Sequence, residues 1–405
     1  MRSLLVSLCL VLVIPALLLA QGTVATDQKP LVFTHVTVID ATGGPLQPDM
    51  TVVVSGNRIT ALGKAGSVAI PRGALMNNAA GKFMIPGLWD MHQHTFMRKN
   101  KVLPLYSLWG NIVNGVTGVR DMGDQGLPDD FGDLPYWQDF EWRQAIAAGS
   151  VIGPRLVLPG ILLEGPPSPR KGWAEISIAA QGREEVDFLK KFGVDFIKVH
   201  DSLPREAFFA IAEESKKQGL VFAGHVTNTV SVAEASDAGQ KSEEHLLGIL
   251  KEFQAQFNNF KQENVPALKM LHAAHYRVVK EMQRAGVKLL VGTDGRLFGY
   301  DVHDEMAEMV AAGLTPLQVL QAATKNAADF LGRLDSMGTI EKGKIADLVL
   351  LDANPLDSIG NAAKINAVVV NGRLLDRNAL DRMQAQIKAG SNGTPEPAVG
   401  FADSD

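Results

Sequence analysis

Alternating apolar runs open the part of the chain expected to fold: "LVFTHVTVID" at 31–40 and "MTVVVSGNRITALG" at 50–63, separated by "TGGP" and "SGN". Period-two alternation bounded by such turn residues predicts hairpins and a small β sheet. From residue 84 to about 335 the rhythm changes. Short apolar stretches now alternate with longer helical patterns: "VDFIKVH" then "REAFFAIAEESKKQG", "LVFAGHV" then "TVSVAEASDAG". That rhythm predicts βα units around a parallel sheet, and its length favours closure into a (β/α)8 TIM barrel over an open doubly wound sheet. From about 338, "MGTIEKGKIADLVLLDANP" and "INAVVVNGRLL" return to hairpins. Two β-rich flanks around one α/β centre predict that both chain ends meet in a small β sandwich.

The expected domains are therefore residues 28–83 and 336–376 for the two parts of the sandwich and 84–335 for the barrel. Residues 377–405 are expected to form a C-terminal helix and a disordered tail, since the stretch from about 391 is rich in Ser, Gly, Pro and Asp. The segment before the first strand reads differently. "MRSLLVSLCLVLVIPALLLA" has one Arg, an apolar run and then small residues, the layout of a secretory signal peptide over about 1–25. Export to the periplasm or the medium is expected, with an uncleaved anchor as the alternative.

Composition narrows the function. The 405 residues carry a formal net charge of −5 and no long basic run, which argues against nucleic-acid binding or stable membrane association after signal cleavage and for a small-molecule partner. Cys9, the only cysteine, lies in the presumed signal segment. The mature chain would then have no thiol for a disulfide, a nucleophile or a metal ligand.

The candidate chemistry lies at the ends of apolar runs. In "IPGLWDMHQH" His92 and His94 stand at i and i+2, so in extended chain both imidazoles face one side. Alone, such a pair is a weak metal signal. Lys198 near the end of "VDFIKVH", His225 in "LVFAGHV", His245 in "KSEEHL" and Asp294 in "VKLLVGTDG" occupy the same kind of position, the face on which barrel enzymes build their sites. Six such residues together are hard to explain as packing.

These residues lie in motifs that carry a resemblance. "GKFMIPGLWDMHQH", "NGVTGVRDMG", "GPRLVLPG", "DFIKVHD", "AGHV", "SEEHL", "GTDG", "HDEMAEMVAAGLTPLQVLQAAT" and "GTIEKGKIADLVLLDANPL" follow one another over roughly residues 32–375. In that order they resemble the amidohydrolase superfamily, within it the branch of imidazolonepropionase and the metal-dependent Xaa-Pro and Xaa-Arg dipeptidases. The resemblance implies the barrel with its composite sandwich and two divalent metal ions, usually Zn2+. It implies that His92, His94 and Asp294 hold the more buried ion, that His225 and His245 hold the other, and that Lys198, carboxylated by CO2, bridges them.

The residue chemistry agrees with that implication. Neutral imidazole and carboxylate suit zinc. A lysine ammonium cannot ligate a cation, so Lys198 serves only if it loses its proton and becomes a carbamate, a change favoured by burial between two dications. Ions about 3.5–4 Å apart can share a hydroxide and polarise a carbonyl. Asp294 is the residue expected to take the proton and pass it to the leaving amine. The expected reaction is cleavage of an amide C–N bond in a dipeptide or N-acyl amino acid. Hydrolysis of a cyclic amide or lactone, ring deamination, and a non-catalytic binding protein on the same scaffold are the alternatives, since fold does not fix reaction.

Other residues are less determined. His303 is expected either to line the pocket or to cap a helix; His200, two residues past Lys198, is expected to hydrogen-bond outside the metal shell. His272 and His275 have helical spacing and no evident third ligand. His35 is expected to be structural. Arg120, Arg170, Lys171, Arg296 and Tyr300 are candidates to meet a substrate carboxylate. Only 48 residues, 246–293, separate His245 from Asp294, and "NVPALKM" is the one candidate there for a seventh strand. A homo-oligomer is compatible with the sequence but is not read from it.

Overall fold

The computed structural model of the protein describes residues 29–96, 104–123, 136–170, 172–246, 265–295 and 298–390. The expected signal peptide and the stretch from 391 lie outside the described residues. Among the described residues no helix is long and apolar enough to cross a membrane.

Strands β1 (Leu31–Val38), β2 (Gln47–Ser55) and β3 (Arg58–Lys64) form an antiparallel meander, with Leu31 opposite Val54 and Val54 opposite Ile59. β4 (Leu75–Asn78) and β5 (Phe83–Pro86) instead run parallel to β1. β5 also pairs antiparallel with β13 (Leu348–Leu351), which continues through β14 (Ile365–Val370) to β15 (Arg373–Leu375). Strands from both flanks of the sequence thus share one eight-stranded sheet. Phe33, Val52, Ile59, Met84, Leu348 and Val369 belong to its apolar core. This is the burial that a period-two pattern with one apolar face must find.

Between these flanks the strand ladders among the described residues are all parallel. β6 (Leu88–Gln93), β7 (Val116–Asp121) and β8 (Arg155–Val157) form one sheet in that order, and every residue of β6 and β7 is buried. β9 (Leu163–Glu164), β10 (Ala174–Glu175), β11 (Phe196–Val199) and β12 (Val221–Gly224) form a second, in the order β10-β9-β11-β12, with Phe196 opposite Val221 and Lys198 opposite Ala223. Strands buried on both faces read as short continuous apolar runs, which is why "VDFIKVH" and "LVFAGHV" show no alternation.

Helices α1 (Pro104–Val113), α2 (Tyr136–Ala147), α3 (Ala179–Phe192), α4 (Arg205–Gln218) and α5 (Val232–Asp237) alternate with these strands. α6 (Val265–Arg284), α7 (Tyr300–Ala311), α8 (Pro316–Ala322), α9 (Lys325–Phe330) and α10 (Arg377–Gly390) follow. Local sequence sets their starts: Ser231 with Glu234, and Thr315 with Gln318, form capping boxes at α5 and α8, and Pro316 begins α8.

Two expectations are corrected. "NVPALKM" contributes no strand: from Val265 it is the first part of the 20-residue helix α6, where a run of Ala, Leu, Met, Lys and Glu outweighs a short apolar cluster. The run ending at Asp294 makes no strand ladder either. It is attached to β6 by hydrogen bonds from Met91 N–H to the Val291 carbonyl (2.8 Å) and from Asp294 N–H to the His92 carbonyl (2.7 Å). Gly292 accounts for the close, irregular approach, since a Cβ there would fall 2.9 Å from the His92 Cβ. Between the 240–246 and 287–293 segments lies a cavity of about 1090 Å³ that reaches His92 and His245.

Candidate metal centre

The strand ends bring the expected donors to one place. His92, on β6, has its ring centre 5.4 Å from that of His94, 4.4 Å from that of His245 and 6.5 Å from that of His225. His225 and His245 are 5.2 Å apart. Asp294 faces three of them, at 3.0 Å from His94 Nε2, 3.6 Å from His92 Nε2 and 3.9 Å from His245 Nε2. Lys198 is buried on β11 and close enough for its charge to act on His92, His225 and His245. It owes that place to Gly224: a Cβ there would strike the Val199 carbonyl at 2.1 Å and sit 3.1 Å from Lys198 Cδ. Two donor groups result, one of His92, His245 and Asp294, one of His200, Asp201 and His225, each with donor atoms within 4.8 Å of one another.

The electrostatics fit a cation. Burial first, then the charge of Lys198, holds the His92 imidazole well below its ordinary pKa against the opposing pull of Glu244. Burial brings His225 down to about 4 and also lowers His245. All three are therefore neutral near pH 7, the form that ligates metal. For Asp294 burial works to raise the pKa, but the hydrogen bond with His94 and the charge of His94, with smaller contributions from the neighbouring His92 and His245, outweigh it and hold the carboxyl well below its ordinary value. His92 Nε2 is buried without a hydrogen-bond partner. An orphaned imidazole nitrogen facing a carboxylate, beside further neutral imidazoles, is the environment a divalent cation would satisfy.

A carboxylate stands behind each of several histidines. Glu244 Oε2 takes the Nδ1 proton of His92 at 2.8 Å and is itself gripped by Arg120 Nη2 at 2.9 and 3.0 Å and by the Ser242 hydroxyl at 2.5 Å. Asp201 holds His225 Nδ1 at 3.0 Å, Glu164 holds His200 Nδ1 at 2.6 Å, and the Gly123 carbonyl takes the His94 Nδ1 proton at 2.8 Å. Such partners fix the tautomer and leave Nε2 to the ligand. Asp90 accepts from the His92 N–H and from both the N–H and hydroxyl of Thr293. It ties β6 to the segment that carries Asp294. Sequence reasoning missed Glu164, Asp201, Glu244 and Asp90, although Asp201, Glu244 and Asp90 stand within two residues of a singled-out histidine. Glu164 shows no such signal.

The remaining candidates are placed elsewhere. Arg120 is not at a pocket rim: it is 1% exposed, its guanidinium lies over Phe330, and its donors are spent on Glu244, Ser242 and the Met91 carbonyl. A buried guanidinium must be paired, and Glu244 is its partner. His303 is not brought to the site either, since it donates from Nε2 to the Asn114 carbonyl at 3.0 Å. Tyr300 is exposed at the first turn of α7. Arg296 and Lys171 lie outside the described residues. Arg170 stands over Trp173, whose ring is 5.0 Å from His200. His275 sits on α6 and lines the cavity. His35 pairs with Asp49 at the surface of the eight-stranded sheet.

The amidohydrolase family profile matches residues 83–375. Ochratoxinase of Aspergillus niger is 24% identical over 418 residues, spanning 83% of this chain and 84% of that one. Imidazolonepropionase of Shouchella clausii is 31% identical over 209 residues, 45% of each chain. Among solved structures, a Xaa-Pro dipeptidase with methionine in its active site superposes with a TM-score of 0.68 at 21% identity, covering 86% of this chain and 100% of that one. At that identity the likeness shows the fold, which is α/β and TIM-barrel-like.

Proposed function

The chain belongs to the amidohydrolase family, which makes it a hydrolase of carbon–nitrogen bonds, and from that premise we propose that it cleaves the amide bond of a dipeptide or N-acyl amino acid with two divalent ions, zinc first among them. The carrying observation is the ring of neutral imidazoles around Asp294, with the His92 Nε2 orphaned among them. In this reading His92, His94 and Asp294 would hold one ion, His225 and His245 would hold the other, and Lys198, once carboxylated, would complete the donor set. The central strands close as a barrel, and the eight-stranded sheet forms a sandwich beside it. The protein acts after export. Bound divalent ions supply a polarised carbonyl and a water acidic enough to attack near neutral pH.

The chain's own residues do the rest. Asp294, ionised at neutral pH and half exposed, takes the proton of the attacking water and hands it to the leaving amine. Glu244 and Arg120 keep the His92 ring in register, and burial keeps the imidazoles unprotonated. For a substrate with a free carboxylate, Arg170, which stands over Trp173 and through it neighbours His200, is the candidate cation.

The test is a panel of dipeptides, N-acyl amino acids, cyclic amides and lactones, offered to the mature protein with zinc and bicarbonate and to a chelated control. Chelator-sensitive release of a free amine from an acyclic amide is expected. Turnover confined to cyclic substrates would replace the substrate class. A protein that binds no metal and cleaves nothing would leave only a binding role.

A further inference from the structure

His200 has no assigned part in the metal centre, yet its surroundings are those of a ligand. Its Nδ1 lies 2.6 Å from Glu164 Oε2. Glu164 is 1% exposed, and its other oxygen accepts the N–H groups of Gly165 and Ser202, both at 2.7 Å. A carboxylate so surrounded by donors is an acceptor only, so the imidazole must donate from Nδ1, which leaves Nε2 as the ring nitrogen free to face another group. His225 is held in the same way through Nδ1 by Asp201 at 3.0 Å. Paired carboxylate and imidazole in that order is the arrangement that orients histidines toward metal.

The two rings are also neighbours. The ring centres of His200 and His225 are 4.3 Å apart with planes 31° apart, closer and more nearly parallel than His225 and His245 at 5.2 Å and 81°. Among the described residues His225 shares its 4.8 Å donor group with His200 and Asp201, while His245 groups with His92 and Asp294. Trp173 packs on His200 at 5.0 Å.

We propose that His200 is a ligand of the outer of the two cations, beside His225, with Glu164 as the residue that positions it. The inference rests on the binuclear reading above. The probe is Co2+: the protein is stripped with a chelator, reloaded by titration, and followed by visible absorption and by elemental analysis. Wild-type chain takes up two ions. His200→Phe is expected to retain the first ion and to bind the second at least about 100-fold more weakly, with a change in the absorption bands of the second ion alone. Two ions of unchanged affinity and unchanged bands in His200→Phe overturn the proposal. Wild-type protein that takes up no ion overturns the binuclear reading itself, a result distinguishable from the first. If His200→Phe does not fold by circular dichroism, Glu164→Gln replaces it: a second-ion affinity about 10- to 100-fold weaker is expected, and an unchanged one overturns the proposal.

Discussion

The two rims of the candidate metal centre are built in opposite ways. On one side His92 belongs to β6, a strand buried along its whole length, His94 follows one residue past its end, and each ring is tied through Nδ1 to Glu244 or to the Gly123 carbonyl. On the other side His245 and Asp294 stand outside any strand ladder, and both have left-handed backbone, at φ 63° and 49°. Non-glycine residues in that region cost on the order of 1 kcal/mol or more and persist where the surroundings over-determine them. Asp294 side chain is 48% exposed and His92 only 3%. The first rim is therefore a fixed wall and the second a strained lip that places a carboxylate where a substrate can reach it.

The wall is open to the largest perturbation. Arg120→Met leaves Glu244 buried without its cation and removes the group that holds it toward His92. Breaking a buried pair by deleting one partner costs about 3–5 kcal/mol, out of a total of roughly 5–15 kcal/mol for a domain. Urea unfolding is expected to show that loss together with reduced metal uptake. If the variant unfolds like wild type and still fills with metal, the wall does not depend on Glu244 and the contrast between the rims fails.

Asp294→Asn addresses the lip. Asn tolerates the left-handed region as readily as Asp, so the fold should be kept within about 1 kcal/mol by thermal melting. The rate constant kcat should fall by about 10²- to 10⁴-fold, the range a positioned proton carrier supplies. An unimpaired rate in correctly folded, metal-loaded Asn variant would remove Asp294 from proton transfer. A large loss of stability instead would mean that the lip is structural rather than poised for chemistry.

Much of this contrast was legible in the sequence on the wall side and little of it on the lip side. "WDMHQH" ends an apolar run in a parallel ladder, so strand geometry alone puts both imidazoles on one face. "VKLLVGTDG" looks like the same kind of run, but the attachment is made by two backbone hydrogen bonds, the Asp90–Thr293 link and a glycine that lets His92 close in. Those depend on partners about two hundred positions away, which no local pattern records. "NVPALKM" failed for a related reason: its apolar residues open a helix whose length decides the matter. Arg120 misled because residue type says that a guanidinium can meet a carboxylate and does not say which one. The carboxylate was Glu244, one residue before His245.

The smallest effect expected concerns the floor beneath the lip. Glu305 on α7 lines the cavity next to the 287–293 segment, and burial, then the charges of Asp90 and Glu308, raise its carboxyl to about 7 from an ordinary 4.5. A raised folded-state pKa means that the native chain binds the proton more tightly than the unfolded one. Stability contributed by that proton is complete below about pH 4.5 and is lost as pH rises through about 7. Glu305→Gln keeps the shape without the charge, so wild type and variant should unfold alike at pH 4.5, and at pH 8 the variant should be the more stable by about 1–3 kcal/mol. Guanidinium midpoints at the two pH values give the difference directly. A variant less stable than wild type at pH 8 would reverse the sign. It would show that the Glu305 carboxylate is held by a favourable partner at the lip, and that the lip is supported from below as firmly as the wall.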